Sequence, residues 1–190
     1  MGRVNYGDGR QALIEATVRV IGEHGWGGLT NRRVADAAQV DNTLITHHFG
    51  GRDALVSAAA EWAVAHSIAQ ADLALASELS GPFGEALLAL VDLDPRIQAF
   101  QIELILAARR DVRLRPVVTR LYESYLGSAK ELLENAYGLA PETDLARAVF
   151  AALEGLVLQV LSVVDPDEVR QAIAALDRLV LGYRAQFDAR

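Results

Sequence analysis

Asn42, Thr43, Thr46 and His47 are the residues of this chain whose type and spacing best suit recognition chemistry. Amide, hydroxyl and imidazole groups both donate and accept hydrogen bonds, and at these positions a helix carries all four on one side. Short polar side chains so placed match the donors and acceptors on base edges in a DNA major groove, which admits a single helix. Asp41 precedes them as an N-cap, and Ile45 and Phe49 point the other way, into an apolar interior. Arg32, Arg33 and Arg52 flank the group as cations that position a protein on phosphate. Thr30, Asn31, Leu44 and His48 complete the expected DNA contacts.

Other chemistries are thinly represented. The chain has no Cys, which excludes disulfides and thiolate metal sites and fits a reducing compartment. His47 and His48 are adjacent, so on a helix they project about 100° apart, and no third ligand lies nearby in sequence; no metal is expected. There is no phosphate-binding glycine motif and no His and carboxylate pair at metal spacing, so neither an enzyme nor a cofactor is expected. Glu154 stands alone on an otherwise apolar stretch. A buried carboxylate must be paired or neutral, so it serves either the packing or a ligand. Trp62 and His66, one turn apart, suit a core or a pocket wall equally, and Tyr122 and Tyr125 lie on or beside an apolar stripe. With Phe100, Glu103, Leu104 and Phe150 these residues make a mainly apolar and aromatic lining. If these residues wall a cavity, the small molecule matching it is mostly hydrophobic with one or two hydrogen-bonding groups, cationic if Glu154 faces it.

These side chains need helices to hold them. The stretch LTNRRVADAAQVDNTLITHHFGGR, residues 29–52, reads as two short helices around a tight turn, with Val34, Ala35 and Ala38 as the apolar face of the first. The small Ala35 suits two helices crossing steeply over a short turn. A helix from about Arg10 to His24 precedes the pair, after an arm expected to fray. Further helices are expected from Asp53 to Leu79, Phe83 to Leu93, Pro95 to Ala108, Val112 to Tyr137, Pro141 to Val164 and Pro166 to Phe187. No alternating strand pattern, repeat or low-complexity tract is present. The fold is all-α, with about nine helices.

The last two helices differ from the rest. Ala148, Ala151, Gly155 and Leu158 form a small-residue face on a helix that is apolar nearly all round and should be buried on several sides. Ala172, Leu176, Leu179 and Tyr183 form a wide stripe on the next. Both could be internal helices of one bundle, or the two helices each subunit gives to a four-helix homodimer interface.

Composition sets the frame. Of 190 residues 52% are hydrophobic and 23% charged, the profile of a folded globular chain. The net charge of −7 argues against indiscriminate nucleic-acid binding. Residues 1–60 hold six Arg against six acids, and residues 61–190 hold 12 basic and 19 acidic groups, so the deficit lies wholly in the second part. That asymmetry supports two domains with different partners, residues 1–54 and residues 55–190. No long uncharged apolar run or signal-peptide pattern is present, so a cytoplasmic protein without a membrane partner is expected.

The residues from Arg10 to Val56 resemble the N-terminal domain of the TetR family of one-component transcription regulators. The resemblance rests on Arg10, Leu13, Ile14, Ala16, Thr30, Val34, Ala35, Ala38, Val40, His48, Phe49, Arg52 and Leu55. Gln39 stands where the family has a turn glycine, so a left-handed backbone is expected there. Thr46 stands where the family has a phosphate-contacting tyrosine, keeping the hydroxyl with a shorter reach. Arg52 replaces the usual lysine and keeps the cation. The resemblance implies a homodimeric, ligand-responsive repressor of a double-stranded, pseudo-palindromic operator, released when a small molecule binds the C-terminal domain. The alternatives are an all-α small-molecule-binding protein and a helical interaction module without specific DNA binding.

Overall fold

The computed structural model describes residues 6–76, 95–139 and 143–188. Among these residues there are eight α-helices and no strand: α1 (Tyr6–His24), α2 (Asn31–Ala38), α3 (Thr43–Phe49), α4 (Arg52–Ala76), α5 (Pro95–Ala108), α6 (Arg115–Tyr137), α7 (Thr143–Ser162) and α8 (Pro166–Asp188). Single 3-10 turns, Trp26–Gly28 and Val112–Leu114, lead into α2 and α6. The short helix expected from Phe83 to Leu93 lies outside the described residues. The chain divides into two compact units, one of Met1–His66 with Arg96–Leu121 and the other of Ser67–Pro95 with Tyr122–Arg190.

In the first unit α1 buries Leu13, Ile14, Val18 and Ile21, α2 buries Val34 and Ala35, and α3 buries Ile45. Phe100 and Leu104 of α5, and Leu55 and Ala59 of α4, are fully buried as well. The helix α1 begins at Tyr6 and so includes Gly7 and Gly9, a turn earlier than its sequence suggests. Gly9 is buried, and a Cβ built there would sit 3.7 Å from Leu44 Cδ1 and from His48 Nε2 of α3. Packing of that turn offsets the cost of glycine in a helix, about 1 kcal/mol per residue. At Gly22 the backbone of α5 comes so near that a Cβ would lie 2.6 Å from the Arg96 carbonyl oxygen, so no larger residue fits. The Arg96 guanidinium pairs with Glu23 at 3.1 Å beside this crossing.

In the second unit Leu133 and Tyr137 of α6, Val149 of α7, and Val169, Ile173 and Val180 of α8 form the core. The Tyr137 hydroxyl donates to Asp177, and burial together with this bond pushes its pKa well above the ordinary phenol value. The helix α7 is not buried on several sides in the single chain. Ala146, Val149 and Val157 are buried, whereas Ala148, Ala151 and Leu158 are exposed and Gly155 is half-buried. By length and composition α7 is apolar enough to cross a membrane, and 17% of its apolar window is buried.

Candidate nucleic-acid interface and aromatic cluster

The two-helix unit is fixed at each joint by its own side chains. Thr30 caps α2, its hydroxyl accepting from the Arg33 N–H at 3.1 Å. Gln39 ends α2 at φ 57° and ψ 39°, in the left-handed region, and its N–H returns to the α2 carbonyls. Asn42 already has helical backbone angles and makes no capping bond, so Asp41 does the work of the cap. Its carboxylate accepts from the Thr43 N–H at 2.8 Å and from the Thr43 hydroxyl, bonds that hold it below the usual carboxylate range. Arg19, which no sequence pattern singled out, reaches from α1 to the Ala37 carbonyl at 2.6 Å and ties down the end of α2. Ile45 then anchors α3 from beneath.

The opposite side of α3 is polar and open. Asn42, Thr43, Thr46 and His47 are exposed, while Leu44 and His48 are half-buried. His48 packs edge-on to Phe49 at 6.2 Å, and the Arg10 guanidinium lies 5.1 Å from the Phe49 ring centre. Burial, then the neighbouring His47 and Arg10, holds the His48 pKa below the ordinary imidazole value. At neutral pH it is therefore a neutral hydrogen-bonding group rather than a cation. The cations around α3 are not equivalent. Arg33 donates to the Gly28 carbonyl at 2.5 Å, Arg32 stays exposed with Asp36 at 3.8 Å, and Arg52 is exposed at the start of α4. Asn31, between the cap and these arginines, is half-buried.

The expected effector residues separate into groups. In the second unit Tyr122 and Tyr125 of α6 meet Phe150 and Glu154 of α7. The Tyr125 and Phe150 rings stack at 5.4 Å, Tyr122 is edge-on to Phe150 at 5.9 Å, and the Tyr122 hydroxyl donates to Glu154 Oε1 at 3.3 Å. All four side chains are half-buried. Burial raises the Glu154 pKa above the usual carboxylate value, and the Tyr122 bond offsets part of that rise. In the first unit Trp62 and His66 stack at 4.9 Å, while Phe100 and Leu104 are wholly enclosed by the core. Glu103 accepts the Trp26 N–H at 2.9 Å and lines a cleft of about 580 Å³ bounded by Trp26, Leu106, Arg109 and Arg110. No group of three or more metal-ligating side chains occurs among the described residues.

Of the residues expected at an interface between copies, Ala148, Ala151, Leu158, Ala172 and Leu179 are exposed, and Gly155, Leu176 and Tyr183 are half-buried. Leu179 is 71% exposed and Leu158 50%, a large apolar area for a single chain to leave open.

Residues 13–59 match the model for bacterial regulatory proteins of the tetR family, and residues 74–181, more than half of the chain, match the Tetracyclin repressor-like C-terminal domain. No curated protein matches the sequence. Among solved structures, a TetR-family transcriptional regulator from Rhodococcus sp. aligns over 92% of this chain and 99% of its own, with a TM-score of 0.78 and 21% identity, a likeness of fold. A transcriptional regulator from Pseudomonas aeruginosa PAO1 aligns over 94% and 93%, with a TM-score of 0.72 and 25% identity. The multidrug binding protein EbrR in complex with proflavin aligns over 88% and 99%, with a TM-score of 0.58 and 34% identity. Its ethidium complex aligns over 89% and 98%, with a TM-score of 0.64 and 31% identity. With both family models matched and a helix-turn-helix in place at α2 and α3, this chain belongs to the TetR family of DNA-binding transcriptional regulators, which are not enzymes.

Proposed function

We propose that this regulator is a homodimeric, cytoplasmic repressor that reads a pseudo-palindromic operator and is released by a hydrophobic cation with aromatic rings. Residues 1–54 read DNA, and residues 55–190 bind the effector and form the dimer. The observation that carries the DNA reading is the exposed polar side of α3, set over the buried Ile45 and capped by Asp41. Asn42, Thr43 and His47 contact base edges; Thr30, Arg32, Thr46 and Arg52 contact phosphate. Two such readers on a two-fold dimer reach successive major grooves, about 34–36 Å apart.

The effector class follows from the aromatic cluster. Three half-buried rings beside a carboxylate suit a cation with an apolar body, through ring-face attraction and charge pairing. The 34% and 31% identical chains bind proflavin and ethidium, molecules of this class. Release needs only that the effector favour the state that fits DNA poorly. The open apolar side of α7 and α8 supports the dimer, because covering Leu158 and Leu179 removes large apolar side chains from water.

Alanine substitutions test the assignment. On a duplex the protein itself has selected, Asn42→Ala and His47→Ala should each cost about 1–3 kcal/mol of discrimination against a scrambled duplex. Arg32→Ala should weaken both duplexes alike and lower the salt slope by about one unit for each protomer on DNA. A His47→Ala protein with unaltered affinity and preference would remove that residue from the reading face.

A further inference from the structure

The two compact units carry opposite charge. The unit with the helix-turn-helix has twelve Arg against nine carboxylates, net +3, and the other has six basic and sixteen acidic residues, net −10. The positive excess does not come from the helix-turn-helix. Residues 1–66 are net −1, and residues 96–121, which join the same unit, are net +4. Four of their six arginines, Arg109, Arg110, Arg113 and Arg115, fall at the end of α5 and the turn into α6.

This strip runs between the starts of two helices. At one end Arg109 and Arg110 bound the cleft with Trp26 and Gly27, which lead straight into Thr30 and α2. At the other, Arg113 lies 3.4 Å from Asp53 in the first turn of α4, next to Arg52. The acids nearby are already engaged: Glu103 holds the Trp26 N–H, and Asp111 is paired with Arg113 at 2.6 Å. Arg109 and Arg110 are exposed, and neither has an ion pair among the described residues. The cations at the end of α5 also complement its dipole. Such a dipole contact does not enter the salt dependence of DNA binding, so the two roles separate by experiment.

We propose that Arg109 and Arg110 form a second phosphate-contact strip outside the helix-turn-helix, engaging the DNA backbone beside the groove that α3 reads. The strip gives a protein of net charge −7 a locally attractive face for a polyanion. The inference rests on the DNA-binding reading. It adds contacts that carry no sequence information, so they act on any duplex.

The test uses the full chain and a mixed-sequence duplex of about 40 bp, with binding followed by anisotropy across a salt series. Each phosphate contact adds about 0.9 to the slope of log affinity against log salt. In a homodimer the double variant Arg109→Ala with Arg110→Ala removes two contacts from each protomer, so it should lose about 3.6 units of slope and bind more than roughly a hundredfold more weakly at about 0.1 M salt. Arg109→Lys with Arg110→Lys keeps both charges and should keep the slope. An alanine variant with the wild-type slope, or a lysine variant with the alanine slope, overturns the proposal. Wild-type protein that shows no salt-dependent binding at all would instead bring down the DNA reading on which it rests.

Discussion

Gln39 sits in the left-handed region at φ 57°, the one non-glycine residue among those described with a positive φ. A side chain there costs about 1 kcal/mol relative to glycine, partly repaid because glycine is freer in the unfolded chain. Gln39→Gly should therefore stabilise the protein by about 0.5 kcal/mol, read as a higher urea midpoint at unchanged slope. A lower midpoint would show that the exposed Gln39 side chain contributes contacts of its own. Glu154 poses the corresponding question in the second unit. Its folded pKa is raised, so the folded chain binds more protons than the unfolded one between the ordinary carboxylate value and the raised one, and stability declines as pH rises through that window. The same ionisation creates the anion a cation needs. Ethidium, whose charge is fixed, should bind more tightly as pH rises through the window, in a titration free of DNA. Glu154→Gln should flatten that profile and weaken binding roughly tenfold at neutral pH. A profile equally steep in both proteins would place the titrating group elsewhere.

At the scale of elements, α7 and α8 show how one amphipathic pattern can hide two surfaces. Along α7 the run from Ala148 to Leu158 is so apolar, Glu154 aside, that the sequence alone suggests burial on several sides. The structure divides it, with Val149 and Val157 against the unit's own core and Ala148, Ala151 and Leu158 facing out. The positions of α2 and α3 were legible beforehand, because caps, a left-handed turn and a 3.6-residue apolar period are local signals. The Arg19 bond to Ala37 and the Glu103 bond to Trp26 were not legible, because they join residues 18 and 77 positions apart with no periodicity to announce them. Phe100 and Leu104 suit a pocket wall by residue type and by lying on a helix assigned to neither DNA nor the dimer, yet both lie wholly within the core of the first unit. If the open sides of α7 and α8 pair across a two-fold axis, Leu179→Glu buries an unpaired carboxylate there at a cost of several kcal/mol. Sedimentation should then find a folded monomer at concentrations where the wild type is a dimer. A folded Leu179→Glu dimer would exclude α8 from the interface.

At the scale of the molecule, charge is arranged by folding and not by order along the chain. Read linearly, the first 60 residues are neutral and the rest of the chain is net −7. Folded, residues 96–121 return to the helix-turn-helix unit and turn it positive, leaving net −10 on the other. Recognition by α3, attraction by the arginines and response at the Tyr122, Phe150 and Glu154 cluster thus meet in a single claim, that this protein binds one DNA sequence and lets go of it when a hydrophobic cation binds. The direct measurement is repeated selection of duplexes from a random pool by the purified protein, with elution by tetraphenylphosphonium, an aromatic cation that does not intercalate. The account predicts enrichment of an inverted repeat whose half-sites lie about one helical turn apart, eluted by the cation from wild-type protein and poorly from Glu154→Gln. A pool that stays random after repeated rounds, while the protein remains folded and dimeric, would contradict it.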